Sequence, residues 1–323
     1  MRMFKLIADI CSLPYRIGFS LWKSYMLRKK RASLPGFTIV VGNLTIGGSG
    51  KTPFVIEITR ELVDRGIRVA VLTRGYARKS SNLVVLNPKL SPKPSVRETG
   101  DEPMLIFRKL GERVPVVIHK DRIRSAKLAS EQFDVQAFVL DDAFQHLKVL
   151  PDYSVLLINL SDINGGALLP LGRFREPIDA IRRADLVVVN YRDKPFDDRD
   201  FRFGVPYTRM RYELKSDEFK GVRAFAFAGI ANPKEFKRML EASGIELVGF
   251  KRFRDHKWYS EKDLRKIIAD ARKAGAEVIL TTEKDFVRIE SPPPDIRPVP
   301  LSVEIEELDN IAAVIARRIN PPH

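Results

Sequence analysis

The sequence predicts an α/β protein built on a mostly parallel sheet, followed by a second and smaller α/β unit. Three observations carry that prediction. Short apolar runs alternate with helix-length stretches from residue 37 to residue 190. The runs are apolar along most of their length, as strands covered on both faces must be. The same alternation then resumes at residue 222, and 323 residues are enough for two separate cores.

Taken in order, the chain opens on a basic amphipathic segment. Residues 1–31 hold eight basic side chains against Asp9 alone. Leu6, Ile10, Leu13, Ile17, Leu21 and Tyr25 recur at helical spacing, with Lys5, Asp9, Ser12, Arg16 and Ser20 on the other side. Arg16 and Pro14 interrupt the segment, so it is too short and too polar to span a bilayer, and no small-residue cleavage site marks it as a signal peptide. Two readings stay open. The apolar side packs on a core, or it lies in a membrane interface with Trp22 and Tyr25 at headgroup level and Arg28–Arg31 on acidic lipid.

Strands are expected at Phe37–Val41, Ile67–Thr73, Pro115–His119, Ala137–Leu140, Tyr153–Asn159 and Leu186–Asn190, with a helix from Lys51 to Arg65. Residues 191–221 are polar and less periodic, and read as a linker. Beyond them come a strand at Val222–Ala228, a helix from Pro233, a strand at Leu247–Phe250, a helix from Ser260 and a strand at Val278–Thr281. The predicted division is therefore 1–31, a surface helix; 32–190, the larger domain; 191–221, the linker; and 222–323, the smaller domain.

The chemistry begins where the first strand ends, at Thr45-Ile46-Gly47-Gly48-Ser49-Gly50-Lys51-Thr52. Glycines let a backbone curl so that its N–H groups face a phosphate chain, and the following helix adds its positive N-terminal end. In such a P-loop Lys51 reaches the β- and γ-phosphates of ATP and the Thr52 hydroxyl ligates Mg²⁺. Thr45 stands where the strict pattern has glycine. The strand that ends in Asp141-Asp142 places two carboxylates beside a nucleotide crevice, where one can serve the Mg²⁺ shell. Gly100-Asp101-Glu102-Pro103 is open to two readings, a helix start or a carboxylate that takes the proton of an acceptor hydroxyl.

Composition narrows the partners. A net charge of +15 favours a polyanion, whether nucleic acid, anionic membrane or phosphorylated substrate. The single cysteine excludes an internal disulfide, and the four histidines are too scattered for a zinc site by spacing.

Together the motifs resemble the tetraacyldisaccharide 4′-kinases of lipid A biosynthesis over nearly the whole chain. The resemblance runs through Val41-Gly42-Asn43-Leu44-Thr45, the P-loop, Arg74-Gly75-Tyr76, Gly100–Pro103, Asp121-Arg122 and Leu140–His146. It continues through Leu168–Pro177, Phe253-Arg254-Asp255-His256 and Thr281-Thr282-Glu283-Lys284-Asp285. The family also lacks the first P-loop glycine. Leu171 and Lys257 depart from its usual pattern, which has alanine and a second histidine there.

The resemblance implies two α/β/α domains joined by a β-stranded linker, with ATP and acceptor meeting between them. It implies Asp101 as general base at the acceptor 4′-hydroxyl, oriented by His256, and Asp141, Asp142, Glu102 and Glu176 around Mg²⁺. Arg74, Tyr76, Arg122 and Arg175 become candidates for the acceptor's phosphate or sugar. The acceptor would be a tetraacylated glucosamine disaccharide 1-phosphate on the cytoplasmic face of a bacterial inner membrane, met peripherally through the basic helix. No nucleic acid is expected. The alternative is a P-loop ATPase that binds nucleic acid through its basic surface, although no RNA- or DNA-reading motif accompanies it. A peripheral scaffold with a vestigial nucleotide site is a third reading, disfavoured by the intact Lys51–Thr52 and Asp141–Asp142 pairs.

Overall fold

A computed structural model describes residues 13–76, 78–87, 94–191 and 196–321. Helix α1 (Leu13–Arg28) leads into β1 (Phe37–Asn43), α2 (Lys51–Asp64), β2 (Val69–Thr73), β3 (Val84–Leu86), α3 (Val96–Thr99) and α4 (Asp101–Leu110). Then come β4 (Val116–Ile118), α5 (Arg122–Gln132), β5 (Ala137–Leu140), β6 (Tyr153–Asn159), β7 (Leu186–Asn190) and β8 (Tyr207–Leu214). The remaining elements are β9 (Arg223–Ala228), α6 (Pro233–Ala242), β10 (Glu246–Arg252), α7 (Glu261–Lys273), β11 (Val278–Thr282) and α8 (Glu283–Val287). The chain closes with β12 (Ile296–Val299), β13 (Leu301–Ile305) and α9 (Leu308–Ile319).

The strands form two sheets, β13-β8-β7-β6-β1-β5-β2-β4-β3 and β10-β9-β11-β12. In the large sheet only the edge strands β3 and β13 run antiparallel to their neighbours. Strands β2, β6 and β7 are buried end to end, which is why they read as unbroken apolar runs. Phe54, Ile58, Met104 and Ile106 cover one face together with Ile311 and Ile315. Leu34, Ala126, Ala129, Phe144 and Ile181 cover the other. The small sheet is parallel throughout and is also packed on both faces.

Local chemistry explains where the helices start. Ser260 caps α7 through the Asp263 N–H, and the Asp263 side chain returns to Ser260. Pro233 opens α6, where its missing N–H does no harm.

The structure corrects the division predicted for 191–323. Residues 207–214 form β8, which joins the large sheet beside β7. Its alternate residues face outward, so the stretch reads as polar. The end of the chain returns as well: β13 pairs with β8 and α9 packs on α2. Residues 301–319 therefore belong with the larger domain, and the linker is two-stranded, with β8 leading out and β13 leading back.

Helix α1 presents two faces. Tyr15, Lys23 and Met26 turn toward the protein, with the Tyr15 hydroxyl donating to the Arg175 carbonyl. Ile17, Leu21, Trp22 and Tyr25 are exposed. The expected stripe is thus open to solvent along its described part, and residues 1–12 of that prediction lie outside the described residues.

Because Ile315 is fully buried against the P-loop helix, Ile315→Ala should lower the stability of the whole protein by about 2–5 kcal/mol. A urea titration checks this. An unchanged midpoint would show that the returning helix is not part of the larger core.

Candidate active site

The phosphate loop leaves the end of β1 at the centre of the large sheet. Helix α2 starts directly from Gly50, whose φ of 91° a side chain would strain and whose Cβ would fall 2.3 Å from Met210 Cε. No side chain caps this helix, so its first N–H groups and positive end remain for an anion. The loop is braced from outside. Asn43 Nδ2 donates to the Thr45 carbonyl at 2.7 Å, and the Ile46 N–H donates to the Arg173 carbonyl at 2.8 Å. Thr45, Ser49 and Thr52 are buried, and Ser49 Oγ has no partner. Gly47 (φ 109°) and Gly48 line a turn with open space around Gly48.

Beside this loop β5 delivers Asp141 and Asp142, since β5 pairs with β1 in parallel. Asp141 is 2% exposed. Its Oδ2 accepts from the Thr73 hydroxyl, and its Oδ1 is buried with no partner. Burial, then the nearby Glu102 and Asp142 charges, push its carboxyl up to about 6. A buried carboxylate with an unpaired oxygen beside a phosphate loop suits a divalent cation. Among the described residues no cluster of three acids or histidines forms, so phosphate oxygens and water must complete such a site, as is usual for Mg²⁺. Asp142 has φ +47° and reaches Lys51 Nζ at 3.5 Å and Arg175 Nη1 at 3.3 Å. Burial alone would raise its carboxyl, but those two cations hold it below the usual range.

The smaller domain meets the larger one at Asp101. Gly100, with φ 90°, caps α4, and Asp101 is its first residue. Asp101 Oδ2 receives His256 Nδ1 at 3.1 Å and Arg288 Nε at 2.9 Å, with Arg288 Nη2 closer still. Its Oδ1 accepts the Glu102 N–H at 3.1 Å. Burial pushes the carboxyl up, but the His256 bond and the Arg288 and Lys284 charges prevail and hold it far below the carboxylate range. His256 sits at φ +57° (rare for any residue but glycine), and its hydrogen bond to Asp101 raises the imidazole above its ordinary value. Tyr76, 69% exposed, lies with its ring 5.7 Å from that of His256.

The expected residues divide accordingly. Asp101 and His256 come together, Lys51 meets Asp142 and Arg175, and Arg74 and Tyr76 are exposed above β2. Gly100-Asp101-Glu102-Pro103 is a helix start whose first helical residue meets His256 and Arg288. Arg122 departs from its expected contact with the acceptor. It is 3% exposed, and its guanidinium donates to the His119 and Asp141 carbonyls, so it ties the ends of β4 and β5 instead. Glu176 Oε2 pairs with Lys23 and Arg183, while its buried Oε1 has no partner among the described residues. Glu102 pairs with Lys284 at 2.6 Å.

Lys284 and Arg288 carried no role in the sequence reading. One signal was available, because Lys284 and Asp285 directly follow the C-terminal end of a parallel strand, where sites gather.

The tetraacyldisaccharide-1-P 4′-kinase family model matches residues 5–320. The tetraacyldisaccharide 4′-kinase of Syntrophus aciditrophicus is 35% identical over 322 residues, covering 88% of this chain and 84% of that one. That of Aquifex aeolicus is 36% identical over 283 residues, covering 84% of each. A crystal structure of Aquifex aeolicus LpxK, described as an "apo" form in complex with ATP, superposes with a TM-score of 0.80 at 32% identity. It covers 96% of this chain and 99% of that one.

The Asp101–His256 contact has a spectroscopic consequence. In an NMR titration the His256 imidazole should have its midpoint above the ordinary value of roughly 6.5. Asp101→Asn should bring that midpoint down. A midpoint that ignores the substitution would mean that the two groups do not interact in solution.

Proposed function

The chain belongs to the tetraacyldisaccharide 4′-kinase family, and we propose that its phosphoryl transfer is carried by Asp101 and His256 acting across the domain boundary. The protein is an ATP-dependent kinase that phosphorylates the 4′-hydroxyl of tetraacyldisaccharide 1-phosphate. One observation supports the catalytic reading above others: a buried carboxylate on the larger domain, on the helix packed against the P-loop helix, is met by a histidine from the smaller one.

The P-loop backbone between Gly47 and Thr52 cradles the phosphates, and Lys51 neutralises charge that develops on the transferring group. Thr52 and Asp141 hold Mg²⁺, which supplies further neutralisation at the phosphate oxygens when bound. Asp142 orients Lys51, and Glu102, whose charge acts on Asp141, and Glu176 complete the acidic surroundings of the ion. Asp101 takes the proton of the acceptor hydroxyl and His256 fixes its orientation. Arg74, Tyr76 and Arg175 border the opening and bind the anionic sugar.

The enzyme meets its acceptor peripherally, on the cytoplasmic face of the bacterial inner membrane. Among the described residues no helix is long and apolar enough to cross a membrane. The exposed Ile17, Leu21, Trp22 and Tyr25 adjoin exposed Arg28, Lys29 and Lys30, a combination suited to an anionic interface. Arg31 is excluded from that cluster, since its guanidinium donates to the Leu147 and Val149 carbonyls.

Radiolabelled ATP with detergent-dispersed disaccharide 1-phosphate tests the reaction, with chromatography of the lipid as readout. Asp101→Ala and His256→Ala should each lower kcat by roughly 10²-fold or more. Residues that act as one unit give non-additive losses, so the double variant should be scarcely worse than the poorer single one. Fully multiplicative losses would assign the two residues to separate tasks.

Leu21→Ser with Tyr25→Ser should weaken binding to anionic vesicles, most clearly at low salt, and leave turnover of a detergent-dispersed acceptor intact. Equal sedimentation with vesicles would make the helix structural. A salt-steep affinity for polynucleotide in place of vesicles would favour the nucleic-acid reading.

A further inference from the structure

The segment that follows β11 is built around Arg288, one of the largest fully buried side chains in the protein. One edge of its guanidinium stays in the smaller domain, where Nη1 donates to the Gly229 carbonyl at 2.8 Å and to Asp285 Oδ1 at 3.1 Å. The other edge, Nε and Nη2, crosses to Asp101 Oδ2 in the larger domain. Side-chain exposure is 1% for Arg288, 5% for Asp101 and 0% for Asp285.

Asp285 does not depend on this arginine for partners. It already accepts from the Tyr259 hydroxyl at 2.7 Å, the Thr282 hydroxyl at 2.7 Å and the Gly229 N–H at 3.0 Å. With its oxygens fixed by those donors, Asp285 serves as an anchor that sets the guanidinium plane. The free edge of a rigid fork then has one direction left, toward Asp101.

At Asp101 the two oxygens differ. Oδ2 is filled by Nε and Nη2 of Arg288 and by Nδ1 of His256, whereas Oδ1 accepts the Glu102 N–H alone among the described contacts. A carboxylate oxygen has two in-plane lone-pair directions, so Oδ1 keeps one for an incoming hydroxyl.

We propose that Arg288 is a positioning residue for the phosphoryl transfer, holding the Asp101 carboxylate so that Oδ1 is the atom that takes the acceptor's proton. The inference rests on the reading of Asp101 as the proton acceptor. In the step itself the acceptor O–H bond breaks as its oxygen bonds to the γ-phosphorus, the proton passes to Oδ1, and ADP leaves with the electrons of the cleaved P–O bond. Arg288 touches neither substrate; it acts through Asp101. Lysine cannot reproduce the arrangement, because an ammonium offers no planar fork to share between Asp285 and Asp101.

The test compares Arg288→Lys, Arg288→Ala and Asp101→Asn with the full-length enzyme. Misplacing a reacting group by about 1 Å can lower a rate on the order of 10²-fold. Arg288→Lys should therefore fold, keep both KM values within about threefold, and lose at least about tenfold in kcat. Guanidinium ion should restore part of the kcat of Arg288→Ala, and glycerol or sodium chloride at equal concentration should not. Arg288→Lys with near-normal kcat, or rescue that salt alone reproduces, overturns the proposal. If neither Arg288 variant folds, the residue serves stability and the proposal also falls. An active Asp101→Asn would sink the reading of the base itself. An inactive Asp101→Asn beside a fully active Arg288→Lys would sink only the inference about Arg288.

Discussion

The Asp101 carboxylate is the point on which the site depends. It belongs to the larger domain, yet Arg288 and His256, which occupy one of its oxygens, both come from the smaller one. Taking such a charge out of water is costly unless partners replace its hydration. The smaller domain supplies those partners, so the Asp101 carboxylate has its full set of partners only when the two domains are seated together. The neighbouring pairs Glu102–Lys284 and Lys109–Glu283 extend this charged seam along α4 and α8.

The same logic organises the phosphate side. β1 lies at the middle of the large sheet, with β5 and β6 as neighbours, and its end is where the loop must turn. The parallel register carries Asp141 and Asp142 to the same edge without any contact near them in sequence. Two adjacent carboxylates then diverge in character. Asp141 is buried beside other acids and is pushed up, while Asp142 faces Lys51 and Arg175 and is held down. Burial and neighbours separate two otherwise identical groups.

Charge on this protein does several jobs, which the net value conceals. Arg31, Arg122 and Arg288 are buried or partly buried and bind main-chain carbonyls or carboxylates within the fold. Lys23 and Arg183 close on Glu176, and Lys51 is held by Asp142. Arg28, Lys29 and Lys30 are exposed at the end of α1 and remain for an external surface. A basic composition by itself therefore says little about how much positive charge faces a partner.

The sequence alone determined the parallel α/β class, most strand cores and the phosphate loop, because these depend on local rules. Apolar runs of strand length, glycines before a helix and capping residues act within a few positions of one another. The order of its motifs also determined the family. What only the tertiary structure decided lies in contacts between residues far apart in the chain. The place of β8 in the large sheet was hidden, since a strand with one wet face looks like a polar linker, and the return of β13 and α9 shows only in the pairing of β13 with β8. Arg122 looked like a ligand-binding arginine and is a buried tie. Arg288 had no role assigned from the sequence and is the partner of Asp101, 187 positions away. Periodicity reports which way a side chain faces, and only packing reports what it meets there.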